Sequence, residues 1–474
     1  MTWCVADEAE PVRAASRKPV AMSKRAWRRE RRVYRSLSAV PSIIRKMLAK
    51  HAERPLVVDL FAGAGGLSLG LEQAGYDIAA AVELDPVHAA VHEYNFPYSS
   101  TFCRDVGTVT AQEIRSKSAL DCSELHAVVG GAPCQGFSLI GKRALDDPRN
   151  QLVMEFARLV LELQPRYFVL ENVAGLTVGN HRKFLDEVVD LFDDAGYRVL
   201  TPYRVLQAAE FGVPQSRRRL FLIGARSDVD LPSYPTPTHT AGSMRGVAQQ
   251  GFLPLSPTVW DAIGDLPDAD EFDELINGDS VIAKFGKPSA YAAPLRGIER
   301  EPTDFSHLRV FDEKLLTSSM RTEHTALSQT RFAKTKPGTV EPVSRFLRLH
   351  PEGISNTLRA GTSSDRGAYT SPRPIHPTLP RVITVREAAR LHGYPDWFRF
   401  HMTKWHGFRQ IGNSVPPPLA RAVAASLLDA DKVVRTVGRI LDEDRDEKLL
   451  SYNAGKAERH FGIEDRVIPQ RDRK

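Results

Sequence analysis

Between Leu56 and Arg226 the chain alternates short β-branched runs with amphipathic stretches of helical spacing, and this alternation admits few folds. Buried-strand patterns stand at Leu56–Phe61, Ile78–Val82, His126–Val129, Tyr167–Val173 and Leu220–Gly224. Helical patterns fill the intervals at Leu67–Ala74, Pro86–Tyr94, Gln151–Leu163 and His181–Ala195. Strands buried on both faces and joined through helices pair in parallel, since each crossover returns the chain to the same end of the sheet. The expectation is an α/β fold whose functional groups gather at the carboxyl ends of the strands.

Three candidate features stand at strand ends. The first runs into Ala62-Gly63-Ala64-Gly65-Gly66 and then a helix that stops at Gly75. Glycines at such a turn let the backbone approach a ligand, and the helix start offers unpaired N–H groups. The third glycine comes too early for the dinucleotide fingerprint, which disfavours a nicotinamide-linked oxidoreductase. The next strand ends on Glu83, a position suited to a ribose diol, although a plain βαβ connection has the same outline. The second candidate is Gly130-Gly131-Ala132-Pro133-Cys134-Gln135-Gly136-Phe137-Ser138, with a cysteine just past a strand. A thiolate is a strong nucleophile but scarce at neutral pH, because a free cysteine titrates near about 8.5. The third is Glu171, closing Tyr167–Val173. Taken singly, Cys134 also reads as a small core residue and Glu171 as a solvated or capping carboxylate.

In order along the chain stand Asp59-Leu60-Phe61-Ala62-Gly63-Ala64-Gly65-Gly66, Pro133-Cys134-Gln135, Glu171-Asn172-Val173, Gln215-Ser216-Arg217-Arg218-Arg219 and Gln410-Ile411-Gly412-Asn413-Ser414-Val415-Pro416. Together they resemble the successive motifs of the DNA (cytosine-5) methyltransferases, over roughly Pro55 to Leu428. The resemblance implies a Rossmann-like, S-adenosylmethionine-dependent methyltransferase sheet with a second, smaller and irregular target-recognition domain. It implies the bacterial restriction-modification type, with no long regulatory region before the motifs. A tRNA cytosine-5 methyltransferase of related type, or a non-catalytic DNA-binding protein on this scaffold, are the alternatives. The long stretch between Arg219 and Arg386 and the intact Cys134, Glu171 and Arg219 speak against them.

Carried over residue by residue, the resemblance makes Cys134 the nucleophile toward cytosine C6 and Glu171 the proton donor at N3. It sets Arg219 at O2 of the ring and makes Arg217 the supporting arginine. Arg218 would point away in an extended segment. For S-adenosyl-L-methionine it implies Phe61 on one adenine face, Leu84 on the other, Glu83 at the ribose, and Asp105 with Val106 at the adenine edge. Ala62, Gly63, Gly65, Gly66, Leu67 and Pro133 complete the pocket, and Asn413 with Ser414 closes its methionine end. Some family members carry tryptophan where Leu84 stands, so stacking on that side is expected to be weaker. Cytosine in a duplex hides C5 and C6, which requires base flipping. The loop Gln135–Asn150, with Lys142-Arg143, is suited to close over the extruded nucleotide.

The expected organisation is a basic extension (1–50), a first catalytic and cofactor-binding segment (51–226) and the target-recognition domain (227–380). A return segment (381–430) completes the catalytic domain, and a charged tail (431–474) has no assigned function. Asn356-Thr357-Leu358-Arg359 resembles the short Thr-Leu signature of the recognition domain. The arginine-dense stretch Lys24–Arg35 reads as a solvated helix or disordered arm in preference to a DNA contact, and Asp7, Glu8 and Glu10 count against a mitochondrial presequence. A formal charge of +6 suits double-stranded DNA as partner. Cys4, Cys103, Cys122 and Cys134 form no CxxC pair, which argues for a reducing compartment and no structural zinc. No apolar run is long enough to span a membrane. The expected setting is the bacterial cytoplasm at the nucleoid. There the chain would act as a monomer, with a cognate endonuclease acting on the same sequence without stable association.

Overall fold

The computed structural model describes residues 54–133, 150–177, 181–242, 252–361, 373–441 and 445–464. Cys134, most of the loop that follows it and the basic extension lie outside the described residues. Among those described, eight strands form one sheet: β1 Leu56–Leu60, β2 Asp77–Glu83, β3 Ser100–Cys103, β4 Ala127–Gly130, β5 Tyr167–Val173, β6 Tyr197–Val199, β7 Arg204–Gln207 and β8 Arg218–Arg226. Their spatial order is β3-β2-β1-β4-β5-β8-β6, with β7 also paired to β8. The helices that concern the site are α1 Gly66–Ala74, α2 Pro86–Asn95, α3 Gln151–Leu163, α4 His181–Asp194, α5 Val259–Ile263, α6 Val385–Arg390, α7 Lys404–Asn413, α8 Pro417–Ala430 and α9 Ala454–His460.

Side chains alternate across the sheet and feed two cores. Val57, Val129, Val169 and Ile223 face α1 and α8, whereas Val58, Leu60, Val128, Phe168 and Leu222 face α3 and α4. Each large apolar side chain buried this way contributes about 1.5–3 kcal/mol. Helix α1 begins at Gly65, which has φ 100°, and ends at Gly75, which has φ 121°. A capping box between Thr384 and Glu387 starts α6. Val259, Ala262 and Ile263 of α5 belong to the same buried cluster as α1 and α8.

The strands β1 to β5 are parallel, as the helical crossovers require, and β8 alone runs against them, pairing antiparallel with β5, β6 and β7. After α4 the chain runs up the sheet edge and returns through short connections, so β8 enters antiparallel between β5 and β6. This has a consequence for the site. The start of β8 lies where β5 ends, with Val173 opposite Arg219 and Glu171 opposite Phe221.

Candidate active site

The strand register builds one rim. Leu60 pairs with Val82 and Gly130, Gly130 with Leu170, and Glu83 with Cys103, so Phe61, Glu83, Gly131 and Glu171 emerge along the same edge. Glu171 is buried, and Arg219 Nε lies 2.8 Å from its Oε1. Burial pushes this carboxyl above its ordinary range, while Arg219 and then Arg217 pull it partly back. Its other oxygen faces Gly131, where a Cβ would stand 2.8 Å from Oε2. A side chain there would press on that carboxylate, which borders the backbone that leads into Cys134. Asn172 Nδ2 donates to Ala132 O at 3.0 Å and holds that backbone to β5. Pro133 is exposed.

The three consecutive arginines do different things. Arg218 is exposed, Arg219 turns to Glu171, and Arg217 is fully buried. Arg217 donates to Leu358 O, Gly412 O and Ser414 O, each at 2.8 Å. Burial lowers its pKa to about 9. It is a positioning residue that locks the start of β8 to the Thr-Leu signature and to the end of α7. Gln215 does the same work alongside it. Its Oε1 accepts from Leu358 N at 3.1 Å, and its Nε2 donates to His392 Nδ1 at 2.9 Å. His392 therefore carries its proton on Nε2, which faces Ser414 O at 3.2 Å. Burial holds the imidazole neutral, well below its ordinary range. Gln215 stands in the same motif as Arg217 and Arg219, but neither it nor His392 carries a local signal of this role.

The glycine turn forms a second part of the rim. Phe61 adopts φ 60°, uncommon for a non-glycine residue, and is half-buried at the strand end. Glu83 Oε2 accepts from Gly63 N and its Oε1 from Asp85 N, both at 2.8 Å. Burial raises the Glu83 carboxyl, with His88 and these N–H groups opposing. At Gly63, φ is +58° and a Cβ would have nothing within 4 Å. Ala62, Gly65, Gly66 and Leu67 are buried behind it, and Leu84 is exposed at the strand end. Asp105 Oδ1 accepts from Gly107 N at 2.8 Å and caps a short turn, and Val106 is buried. Asn413 is exposed, and Ser414 Oγ donates to Ile411 O at 2.9 Å.

One group at the turn was missed by sequence reasoning. Asp59, inside β1, is buried, and burial raises its pKa to about 7. Ser68 Oγ donates to its Oδ2 at 2.5 Å, while its buried Oδ1 has no hydrogen-bond partner among the described residues. The open space over Gly63 and the apolar Phe61 and Leu84 suit a ligand with an aromatic part.

Residues 56–429 match the family model for C-5 cytosine-specific DNA methylase. The chain belongs to that family. It is a DNA (cytosine-5) methyltransferase of the bacterial restriction-modification type, with a Rossmann-like methyltransferase sheet. It is 57% identical over 420 residues to the Type II methyltransferase M.XorII of Xanthomonas oryzae pv. oryzae, covering 89% of this chain and 95% of the relative. It is 31% identical over 380 residues to the Type II methyltransferase M1.HphI of Haemophilus parahaemolyticus, covering 78% and 86%. A crystal structure of a prophage-encoded DNA modification methyltransferase from E. coli superposes on the methylase with TM-score 0.63 at 34% identity, covering 80% of this chain and all of the other. Membership in the family implies S-adenosylmethionine as methyl donor and duplex DNA as substrate. Among the described residues, no helix is long and apolar enough to cross a membrane, and no group of three or more His, Cys, Asp or Glu could hold a metal ion.

Proposed function

We propose that this methylase adds a methyl group to C5 of a cytosine flipped out of a specific duplex sequence, through a transient bond between Cys134 and C6. The observation that carries the reading is the Glu171–Arg219 pair beside Gly131, at the entry to the cysteine motif. Cytosine C5 is a poor nucleophile. Addition of a thiolate at C6 breaks the aromatic system and makes C5 enamine-like. Electron density then builds on N3, and a carboxyl held above its ordinary pKa neutralises it by proton donation. Arg219 keeps Glu171 oriented and faces O2 of the ring. Bound S-adenosylmethionine supplies an electrophilic methyl group. Phe61, Leu84 and Glu83 hold its nucleoside, with Asp105 and Val106 at the adenine edge. The turn Ala62–Leu67, Pro133, Asn413 and Ser414 surround its methionine part. After C5 is methylated, loss of its proton and β-elimination release Cys134.

Residues 227–380 act as the target-recognition domain and residues 381–430 complete the catalytic domain. The methylase works as a monomer in the cytoplasm, at the nucleoid, and protects the sequence cut by a cognate endonuclease with which it forms no stable complex. Trapping with duplex containing 5-fluorocytosine tests the chemistry, because fluorine blocks elimination. A covalent complex that forms in the native protein and is lost in Cys134→Ser supports the reading. An adduct at Cys103 or Cys122, or full methyl transfer by Cys134→Ser, overturns it.

A further inference from the structure

The charged stretch after α8 has no part in the chemistry above, yet residues 445–464 pack against the cofactor side of the rim. Leu449 and Leu450 are buried in one cluster with Ala90, Val91 and Tyr94 of α2 and with Ala64. Ala64 lies inside the glycine turn, next to Gly63, and is only 2% exposed. Tyr452 and Phe461 pack on the edge of the same cluster. Further bonds reach α2 and the segment that leads into α7. Met402 N donates to Leu450 O at 2.9 Å, and His401 Nε2 meets Tyr452 O at 3.0 Å, just before α7, which ends on Asn413. His460 meets Glu93 of α2 at 3.1 Å, and the Arg445 guanidinium lies 4.9 Å from the Tyr94 ring centroid.

We propose that residues 445–464 form a strap that positions the cofactor turn, with Leu449 and Leu450 as its positioning residues. Three separate elements meet at the strap: the turn around Ala64, helix α2 after Glu83, and the segment that leads into α7, whose far end carries Asn413. The strap touches all three and fixes their separation. The turn itself has Gly63 and Gly65 at positive φ and little side-chain volume of its own, so its shape depends on what packs behind it. Holding it in the bound form spares the ordering cost that binding otherwise incurs.

The proposal rests on the reading of this turn as the S-adenosylmethionine site, and the test separates the two. Full-length native protein, Leu450→Ala and the double variant Leu449→Ala/Leu450→Ala are titrated with S-adenosylmethionine by calorimetry, and each is melted. Val188→Ala, in the cluster across the sheet, controls for a general loss of stability. Leu450→Ala should bind the donor about three- to thirtyfold more weakly, the range of a positioning coupling. Its kcat at saturating donor and its affinity for DNA should hold. The double variant should lose more affinity, Leu450→Met should restore it, and Val188→Ala should lower Tm with donor affinity intact. Equal donor affinity in the native protein and Leu450→Ala overturns the proposal. So does a parallel loss in Val188→Ala. Native protein that binds no S-adenosylmethionine removes the cofactor reading, and the proposal with it.

Discussion

Replacing Gly63 with alanine isolates the cofactor turn from the fold. The added Cβ meets no atom within 4 Å, so the protein has room for it. The cost to folding is the left-handed conformation alone, φ +58°, about 1–2 kcal/mol for a residue with a side chain. In a chain of this size that lowers Tm by only a few degrees, about 2–4 °C per kcal/mol at most. A ligand lying over the turn at van der Waals distance collides with the new methyl group. Overpacking of that kind costs about 1–3 kcal/mol, or roughly ten- to a hundredfold in affinity. Gly66→Ala gives the opposite pattern. Its Cβ would stand 2.4 Å from Tyr394 Oη and 2.7 Å from both Ser414 Cβ and Val415 O, so it damages packing against the return segment. Differential scanning fluorimetry and calorimetry with S-adenosylmethionine measure both properties. Gly63→Ala should melt close to the native protein and bind the donor poorly, whereas Gly66→Ala should lose Tm first. A Gly63→Ala protein with native melting and native donor affinity would refute the placement of the ligand over this turn.

Glu171→Gln keeps the side-chain shape but removes the titrating proton, so addition of Cys134 should slow by about two to four orders of magnitude in single-turnover assays. Because the folded carboxyl titrates above its ordinary value, native activity through Glu171 declines as pH rises through that pKa, and the variant's profile should lack this limb. Arg217→Ala strips the donor from three carbonyls and should cost about 3 kcal/mol or more in urea unfolding, with little change at exposed Arg218→Ala. Asp59 binds its proton more tightly folded, at about 7, than its ordinary 3.8, so its contribution to stability declines as pH rises between these values. The loss approaches about 4 kcal/mol above the folded pKa. Asp59→Asn should therefore gain on the native protein between pH 5 and pH 8 in denaturant titrations, and an unchanged difference across that range contradicts the buried-acid reading.

Much of this methylase was legible in one dimension. Continuous apolar runs flanked by helical stretches identify β1, β2, β4, β5 and β8 because a strand buried on both faces must be apolar whatever its neighbours are. The same logic places Phe61, Glu83 and Glu171 at strand ends, and the alternation of an extended segment separates Arg218 from Arg217 and Arg219. Short edge strands carry too few residues for a pattern, so β3, β6 and β7 were not visible. Asp59 was hidden because a carboxylate inside an apolar run acquires its meaning from Ser68 on the facing helix.

Strand direction and long-range partners belong to the tertiary structure. Sequence order does not say that β8 enters antiparallel between β5 and β6, and only that insertion carries Arg219 to Glu171. The division of labour between neighbouring arginines follows from it: one faces a carboxylate at the rim, the other three carbonyls in the interior. The strap of residues 445–464 is the extreme case. Its composition is that of a solvated tail, and its two leucines matter because the folded chain lays them beneath a turn nearly four hundred residues earlier. Local pattern fixes which residues must be buried, through hydrophobic periodicity. Which buried or charged groups meet is settled by the packing of elements distant in sequence, where a pairing energy depends on geometry that no local pattern encodes.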